Sequence, residues 1–285
     1  MIDNINGFIR YTKEPNTICE GALVYTKDVF FKTLNKFTNR RIRVYIPSTY
    51  DFNNPNKRFP VLYMADGKNL FDDYTSFVGE WKIDEIVESY IKEGKIEGMI
   101  VVGIDAPNTF DDRADEMTAP EWEMANCYKT KKDIGYANLF GDFIFKVIKP
   151  MIDETFFTYP DREHTAFGGS SMGGLMAGYV STHYSEYVTN CLIYSPAYFL
   201  LSPKSYKEYK ETMMKKSDVR LFFYVGDVDF EHKFVKRTFE TYNHYKKLGY
   251  VDNKDIVIYY DENEPHNEKA WSKYFPKALD FLFEL

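Results

Sequence analysis

Gly168-Gly169-Ser170-Ser171-Met172-Gly173-Gly174 is the stretch of this sequence that decides the fold. It follows a short apolar run and precedes a segment of small residues, which is the order of a strand, a sharp turn and a helix. A nucleophilic serine on such a turn needs glycine two residues to either side, because larger side chains would collide there. Gly169 and Gly173 flank Ser171 in this way, whereas Ser170 lacks glycine at one of these positions. We therefore predict that Ser171 is a nucleophile.

The composition indicates an ordered globular protein with an acidic surface. Of the 285 residues, 44% are hydrophobic and 18% aromatic, and the net charge is −7. An acidic chain disfavours nucleic acid and anionic membranes as partners. Three widely spaced cysteines, Cys19, Cys127 and Cys191, form neither a metal-binding nor a disulfide pattern, so we expect reduced thiols. The N-terminal residues lack a signal peptide pattern, so we expect a cytoplasmic protein. The sequence alone does not decide whether a leader was removed or which oligomer forms.

Apolar runs and helical periodicities alternate along most of the chain. This order predicts an α/β fold with a mostly parallel central sheet and helices on both faces. We expect one domain over residues 1–285, with 1–37 as an N-terminal extension of edge strands, two of them near 22–25 and 29–31. The longest irregular stretch, 108–132, is interpreted as an insertion near the site.

Acidic residues and a histidine follow the last two predicted strands, where functional groups of a parallel sheet collect. Asp227, Asp229 and Glu231 share one loop, and the residues alone do not separate them. His266 follows the next strand and is the predicted base, with His232 as a weaker competitor. The order serine, acid, histidine is that of the α/β-hydrolase triad.

Three segments together resemble the putative-esterase (esterase D-like) family of α/β-hydrolases, which includes feruloyl and acetylxylan esterases and enterochelin-type esterases. They are 169–175 (GSSMGGL), 63–72 (YMADGKNLFD) and 266–268 (HNE) followed by Trp271. The resemblance implies that the acid ends a G-x-x-D turn, which selects Asp229. It also implies an oxyanion hole from the N–H of Met172 and of one residue among 67–69, for which we select Lys68.

The resemblance implies a serine carboxylesterase that acts through an acyl-enzyme on acylated carbohydrates or aryl esters, without a metal or other cofactor. A siderophore esterase is the alternative within the class. A non-catalytic or acyl-transferring member, a peptidase and a carbohydrate-binding module are alternatives outside it. Four further residues are weaker candidates for substrate binding, with packing or ion pairing as their alternative: Trp81, Trp122, Tyr198 and Arg113.

Overall fold

The computed structural model describes residues 2–32, 37–120, 122–123, 135–213 and 218–285. Cys127 and much of the predicted insertion lie outside these ranges. The chain forms two compact units, each assembled from separate stretches. The first unit contains Met1–Ala106, Phe143–Ala166 and Asn267–Leu285, and the second contains Pro107–Asp142 and Phe167–His266. The prediction of a single domain stays a prediction.

The sheet of the first unit contains β1 (Asn4–Ile5), β2 (Phe8–Arg10), β3 (Leu23–Lys32), β4 (Phe37–Ile46), β5 (Val61–Ala65) and β6 (Ile100–Ile104). Their order is β1-β2-β3-β4-β6-β5. Strands β1 to β4 pair antiparallel, as does β4 with β6, whereas β5 and β6 are parallel. Both β5 and β6 are buried at every position, which explains their unbroken apolar sequences.

Strand β3 is continuous, where the sequence predicted two short strands. Its polar middle includes Asp28, which lies opposite Arg41 on β4. The Arg41 Nε atom lies 2.9 Å from Asp28 Oδ1, and both side chains are about half exposed. A cross-strand ion pair on the solvent face therefore takes the place of the break that the polar residues suggested.

The helices are α1 (Ile83–Lys92), α2 (Phe110–Glu116), α3 (Ala137–Asp142), α4 (Lys149–Thr155), α5 (Met172–His183), α6 (Pro203–Thr212), α7 (His232–Lys247) and α8 (Glu268–Phe283). A π-helical segment, Phe143–Ile148, joins α3 to α4. In the first unit, α1 packs on α8, and Tyr90 donates a hydrogen bond to the Pro276 carbonyl at 2.9 Å. None of the helices in the described ranges is long and apolar enough to cross a membrane.

Helix α2 corrects the prediction that 108–132 is irregular throughout. Thr109 caps it by accepting the N–H of Asp112 at 3.1 Å. A threonine before two acidic residues is a common helix start, and this signal was present in the sequence.

The second unit places the end of β7 (Thr165–Ser170), β8 (Asn190–Tyr194), β9 (Arg220–Gly226) and β10 (Ile256–Asp261) side by side in that order. Strands β8, β9 and β10 are parallel. Helix α5 packs on β8, and α7 packs on β9 and β10. Parallel strands joined by helices direct their carboxyl ends to one edge, so the loops that follow them meet there.

Candidate active site

Ser171 occupies the turn between β7 and α5 and has a strained backbone. Its φ of 59° and ψ of −118° are rare for a residue other than glycine. Its N–H donates to the Tyr194 carbonyl at 3.0 Å, which fixes the turn against the end of β8. Ser171 is partly exposed, whereas Ser170 is buried at 6% exposure. The structure therefore leaves Ser171 partly accessible to solvent and keeps Ser170 within the strand.

The glycines around Ser171 are required by close backbone contacts. A Cβ atom on Gly169 would lie 2.8 Å from the carbonyl carbon of Gly173. A Cβ on Gly174 would lie 2.5 Å from the Tyr194 carbonyl oxygen. These distances are shorter than any van der Waals contact, so larger residues would open the turn.

Glu231 links the predicted base to the end of β9. Its Oε2 atom accepts a short hydrogen bond from Nδ1 of His266, and its Oε1 atom accepts from the Gly226 N–H at 3.0 Å. The Ser195 hydroxyl donates a second, short hydrogen bond to Oε1. Glu231 and Ser195 are both fully buried. With Nδ1 donating to the carboxylate, Nε2 of His266 is the ring nitrogen left to accept a proton.

We predicted that Asp229 pairs with His266, but the hydrogen bond to His266 Nδ1 is made by Glu231 instead. Asp229 opens the short 3-10 turn Asp229–Glu231 with a φ of 53°, and it is exposed to solvent. Asp227 bonds instead to Tyr260 and to His232 Nδ1, each at 2.5 Å. The hydrogen bond from Tyr260, followed by that from His232, lowers the pKa of Asp227. The competing histidine therefore pairs with a different acid of the same loop.

The Glu264 backbone carbonyl is a second link between the acid loop and the histidine loop, beside the bond from Glu231 to His266. Glu264 accepts the N–H groups of Asp227 and Val228 at 3.1 and 3.2 Å. The loops approach so closely that a Cβ on Gly226 would lie 2.2 Å from this oxygen. Gly226 therefore allows the contact between Glu231 and His266, which are far apart in the sequence.

Two phenylalanine rings pack on His266, and the sequence analysis missed them. Phe234 stacks on the imidazole with a centroid distance of 4.2 Å, and Phe230 meets it edge-on at 5.6 Å. Phe230 is 47% exposed. Phe230 lies between Asp229 and Glu231 in the acid loop, and Phe234 lies four residues later in α7, a spacing that places both rings on one side of a helix start.

The remaining candidates of the second unit lie in or near its core. Trp122 is 5% exposed and meets Tyr179 and Tyr209 edge-on, and Tyr198 is fully buried. Both positions favour the packing alternative over a substrate pocket. Arg113 on α2 reaches the Ser170 carbonyl, with Nη2 at 3.5 Å from the oxygen. This contact fits a residue that supports the turn at Ser171.

Lys68 and Trp81 belong to the first unit. Lys68 lies in the 3-10 turn Gly67–Asn69 that follows β5, and its carbonyl accepts the Thr75 hydroxyl at 2.7 Å. Trp81 is 2% exposed and packs against Trp271, with ring centroids 5.6 Å apart. Packing therefore explains Trp81, and the oxyanion role of Lys68 stays a prediction.

Comparisons with known proteins place the fold. The structure of the ferulic acid esterase AmCE1/Fae1A from Anaeromyces mucronatus matches with a TM-score of 0.64 at 19% identity, over 98% of each chain. The enterobactin esterase FES from Shigella flexneri matches with a TM-score of 0.68 at 15% identity, over 91% of this chain and 58% of that one. At such identities the likeness shows the fold alone, and it confirms the expected α/β-hydrolase fold.

Sequence comparison places the family. Endo-1,4-beta-xylanase Y of Acetivibrio thermocellus is 29% identical over 171 residues, which are 56% of this chain and 12% of that protein. The chain thus matches only a small part of this much longer relative. The profile of the family described as "Putative esterase" matches residues 36–282, nearly the whole chain. The chain therefore belongs to this esterase family.

Proposed function

We propose that this protein is a serine carboxylesterase whose triad is Ser171, His266 and Glu231. Membership of the esterase family supports ester hydrolysis. The observation that carries the proposal is the buried hydrogen-bond chain from Ser195 and Gly226 through Glu231 to His266, in the same unit as the strained turn at Ser171.

In the first half of the reaction, Ser171 Oγ attacks the ester carbonyl carbon while His266 Nε2 takes the hydroxyl proton. The tetrahedral intermediate then collapses, the bond to the alcohol oxygen breaks, and His266 returns its proton to that oxygen. In the second half, water attacks the acyl-enzyme while His266 takes a proton from it; the bond to Ser171 Oγ then breaks, and His266 returns the proton to Oγ as the carboxylic acid leaves. Glu231 holds the imidazole in its tautomer and stabilises its charged form.

Backbone N–H groups would stabilise the oxyanion in both halves. Met172 is the first residue of α5, and the first N–H groups of a helix have no partner within the helix. A donor at this position, backed by the helix dipole, suits a developing negative charge. The N–H of Lys68 is the second proposed donor.

The ring of Phe230 favours a substrate with an aromatic acyl group. It is half exposed and lies edge-on to the imidazole of the proposed base, where an aromatic acyl ring could pack against it. The structural relatives include a ferulic acid esterase and an enterobactin esterase. We propose feruloyl-type esters of carbohydrates as the substrate class, with short acyl esters of carbohydrates beside them and siderophore esters as the alternative.

A panel of purified esters tests the function. Methyl ferulate, a feruloylated oligosaccharide, an acetylated xylo-oligosaccharide and a catecholate lactone are compared by kcat/KM, with p-nitrophenyl acetate as a general ester. Ser171→Ala should lower turnover at least ~10³-fold, whereas Ser170→Ala, the matched control, should retain most activity.

The proposal would be contradicted if Ser171→Ala still hydrolysed every ester of the panel. Hydrolysis of peptides but not esters would favour the peptidase alternative, and absence of all turnover would favour a binding protein. Acyl transfer to an added alcohol in preference to water would identify an acyltransferase.

A further inference from the structure

The first unit contains three acidic side chains that ester hydrolysis does not use. Glu80 precedes α1, and Asp84 and Glu85 lie in its first turn. One possible ligand oxygen from each lies within 4.8 Å of the others. Glu80 is 5% exposed and Asp84 is fully buried. Buried carboxylates are rare unless they are paired or bind a metal ion.

Each of the three carboxylates has a buried oxygen that accepts no hydrogen bond from an N–H or hydroxyl donor among the described residues, and the Asp84 and Glu85 side chains contact each other; these oxygens are Glu80 Oε2, Asp84 Oδ1 and Glu85 Oε2. The opposite oxygen of Asp84 accepts the Cys19 N–H at 2.7 Å. Lys82 lies 3.9 Å from the other oxygen of Glu85, and its side chain is 61% exposed. This distant surface contact leaves most of the negative charge uncompensated.

Two arrangements can relieve this cluster, either protons shared among the carboxyl groups or a bound cation. The possible ligand oxygens lie within 4.8 Å of one another and two of the carboxylates are buried, so their negative charges repel unless a proton or a cation lies between them. A cation that displaces these protons would gain all three unpaired oxygens as ligands.

The donor set and its spacing select the cation. Ca²⁺ binds oxygen at about 2.3–2.6 Å, so oxygens on opposite sides of the ion lie about 4.6–5.2 Å apart. Donors within 4.8 Å of one another can therefore share one Ca²⁺ ion. All three ligands are hard carboxylate oxygens, which disfavours zinc and copper. Glu85, but neither Glu80 nor Asp84, lines a cavity of about 410 Å³ that it shares with Glu88 and Lys92, so water ligands can reach the ion from the Glu85 side.

We propose that Glu80, Asp84 and Glu85 bind one Ca²⁺ ion that stabilises the first unit. The ion would join the start of α1 to the N-terminal segment, because Asp84 already holds the Cys19 N–H. Its role is structural and separate from the proposed triad, which lies in the other unit. No spacing motif marks the site, since its residues are those of an ordinary acidic helix start.

The test uses the full chain after treatment with EDTA and gel filtration. Ca²⁺ is titrated by calorimetry and by thermal unfolding, and Tb³⁺ is titrated with excitation of tryptophan, because Trp81 adjoins Glu80. We expect saturable binding of one ion, a rise in Tm with Ca²⁺, and sensitised Tb³⁺ emission that Ca²⁺ displaces. Glu80→Gln and Glu85→Gln should each weaken Ca²⁺ binding at least ~10-fold.

Glu93→Gln is the matched control, because Glu93 follows the other end of α1 and its carboxylate pairs with exposed Lys95. It should leave the Ca²⁺ affinity unchanged. Absence of saturable binding in the unaltered chain would overturn the proposal in favour of shared protons, and equal weakening by Glu93→Gln would overturn the assignment to this cluster. Asp84→Asn is secondary, and its failure to fold would leave the two glutamine variants to decide. Ester hydrolysis is not a readout, so this result and that of the triad test stand apart.

Discussion

Replacing Glu231 with glutamine should reverse the tautomer of His266. The Oε1 atom of Glu231 accepts two hydrogen bonds, from the Gly226 N–H and from the Ser195 hydroxyl. The glutamine carbonyl oxygen can accept both, so it takes this place, and the amide NH₂ group then faces Nδ1 of His266. Because that group donates, Nδ1 must accept, and the ring proton moves to Nε2. A protonated Nε2 cannot take the proton of Ser171.

The expected loss is large and confined to catalysis. In a serine protease triad the corresponding change of acid to amide lowers kcat by ~10⁴, which is about 5.4 kcal/mol of transition-state stabilisation. The glutamine keeps the volume and the two accepted hydrogen bonds of Glu231, so Tm should change little. KM should change less than kcat, since the substrate does not contact this buried side chain.

The assay compares kcat and KM of Glu231→Gln and Asp229→Asn on the best ester of the panel, with Tm from thermal unfolding. Asp229 is the matched control, because it belongs to the same loop but is exposed and does not bond to the imidazole. Its replacement should cost less than about threefold through screened electrostatics. A severe Asp229→Asn and a mild Glu231→Gln would refute the assignment of the acid, and two mild variants would refute the role of any acid in this loop.

Two further results are expected. Ser195→Ala removes one of the two donors to Glu231 Oε1, and because a hydrogen bond to a charged group contributes about 1.5–3 kcal/mol, kcat should fall ~10–100-fold with KM nearly unchanged. Ser181→Ala removes another buried hydroxyl of the same unit and should leave kcat intact, so equal losses in both variants would contradict a positioning role for Ser195. Burial lowers the pKa of His244, so the unfolded chain binds more protons and the stability should decrease as the pH falls below ~6.5, the pKa of an unperturbed histidine. The decrease in Tm between pH 8 and pH 5.5 should be smaller in His244→Gln, and an equal decrease in both proteins would argue against this contribution.

The elbow could be predicted from sequence because its geometry depends on local backbone crowding. A Cβ atom on Gly169 would collide with the Gly173 backbone within the turn itself, so the glycine spacing points to Ser171 without any knowledge of the rest of the fold. The buried strands β5 and β6 were likewise visible as unbroken apolar runs.

The acid could not be predicted because its direction depends on contacts between distant segments. Asp227, Asp229 and Glu231 are equivalent as letters in one loop. Only the 3-10 turn, the approach of the Glu264 carbonyl and the buried Ser195 hydroxyl decide which carboxylate faces His266. The family-like G-x-x-D turn favoured Asp229, yet that residue is exposed. Similarly, the middle of β3 looked like a loop because the sequence did not show that Asp28 has a partner across the ladder.

The carbonyl of Glu264 couples the loop of the acid, Glu231, to the loop of the base, His266. Because it holds the N–H groups of Asp227 and Val228, thermal fluctuation or a mutation that shifts the loop of His266 also carries the loop of Glu231. We therefore expect the distance between Glu231 and His266 to vary less than the distance from this pair to Ser171. Chimaeras with another member of the family should therefore retain activity more often when the whole 226–266 segment comes from one protein than when its two ends come from different proteins.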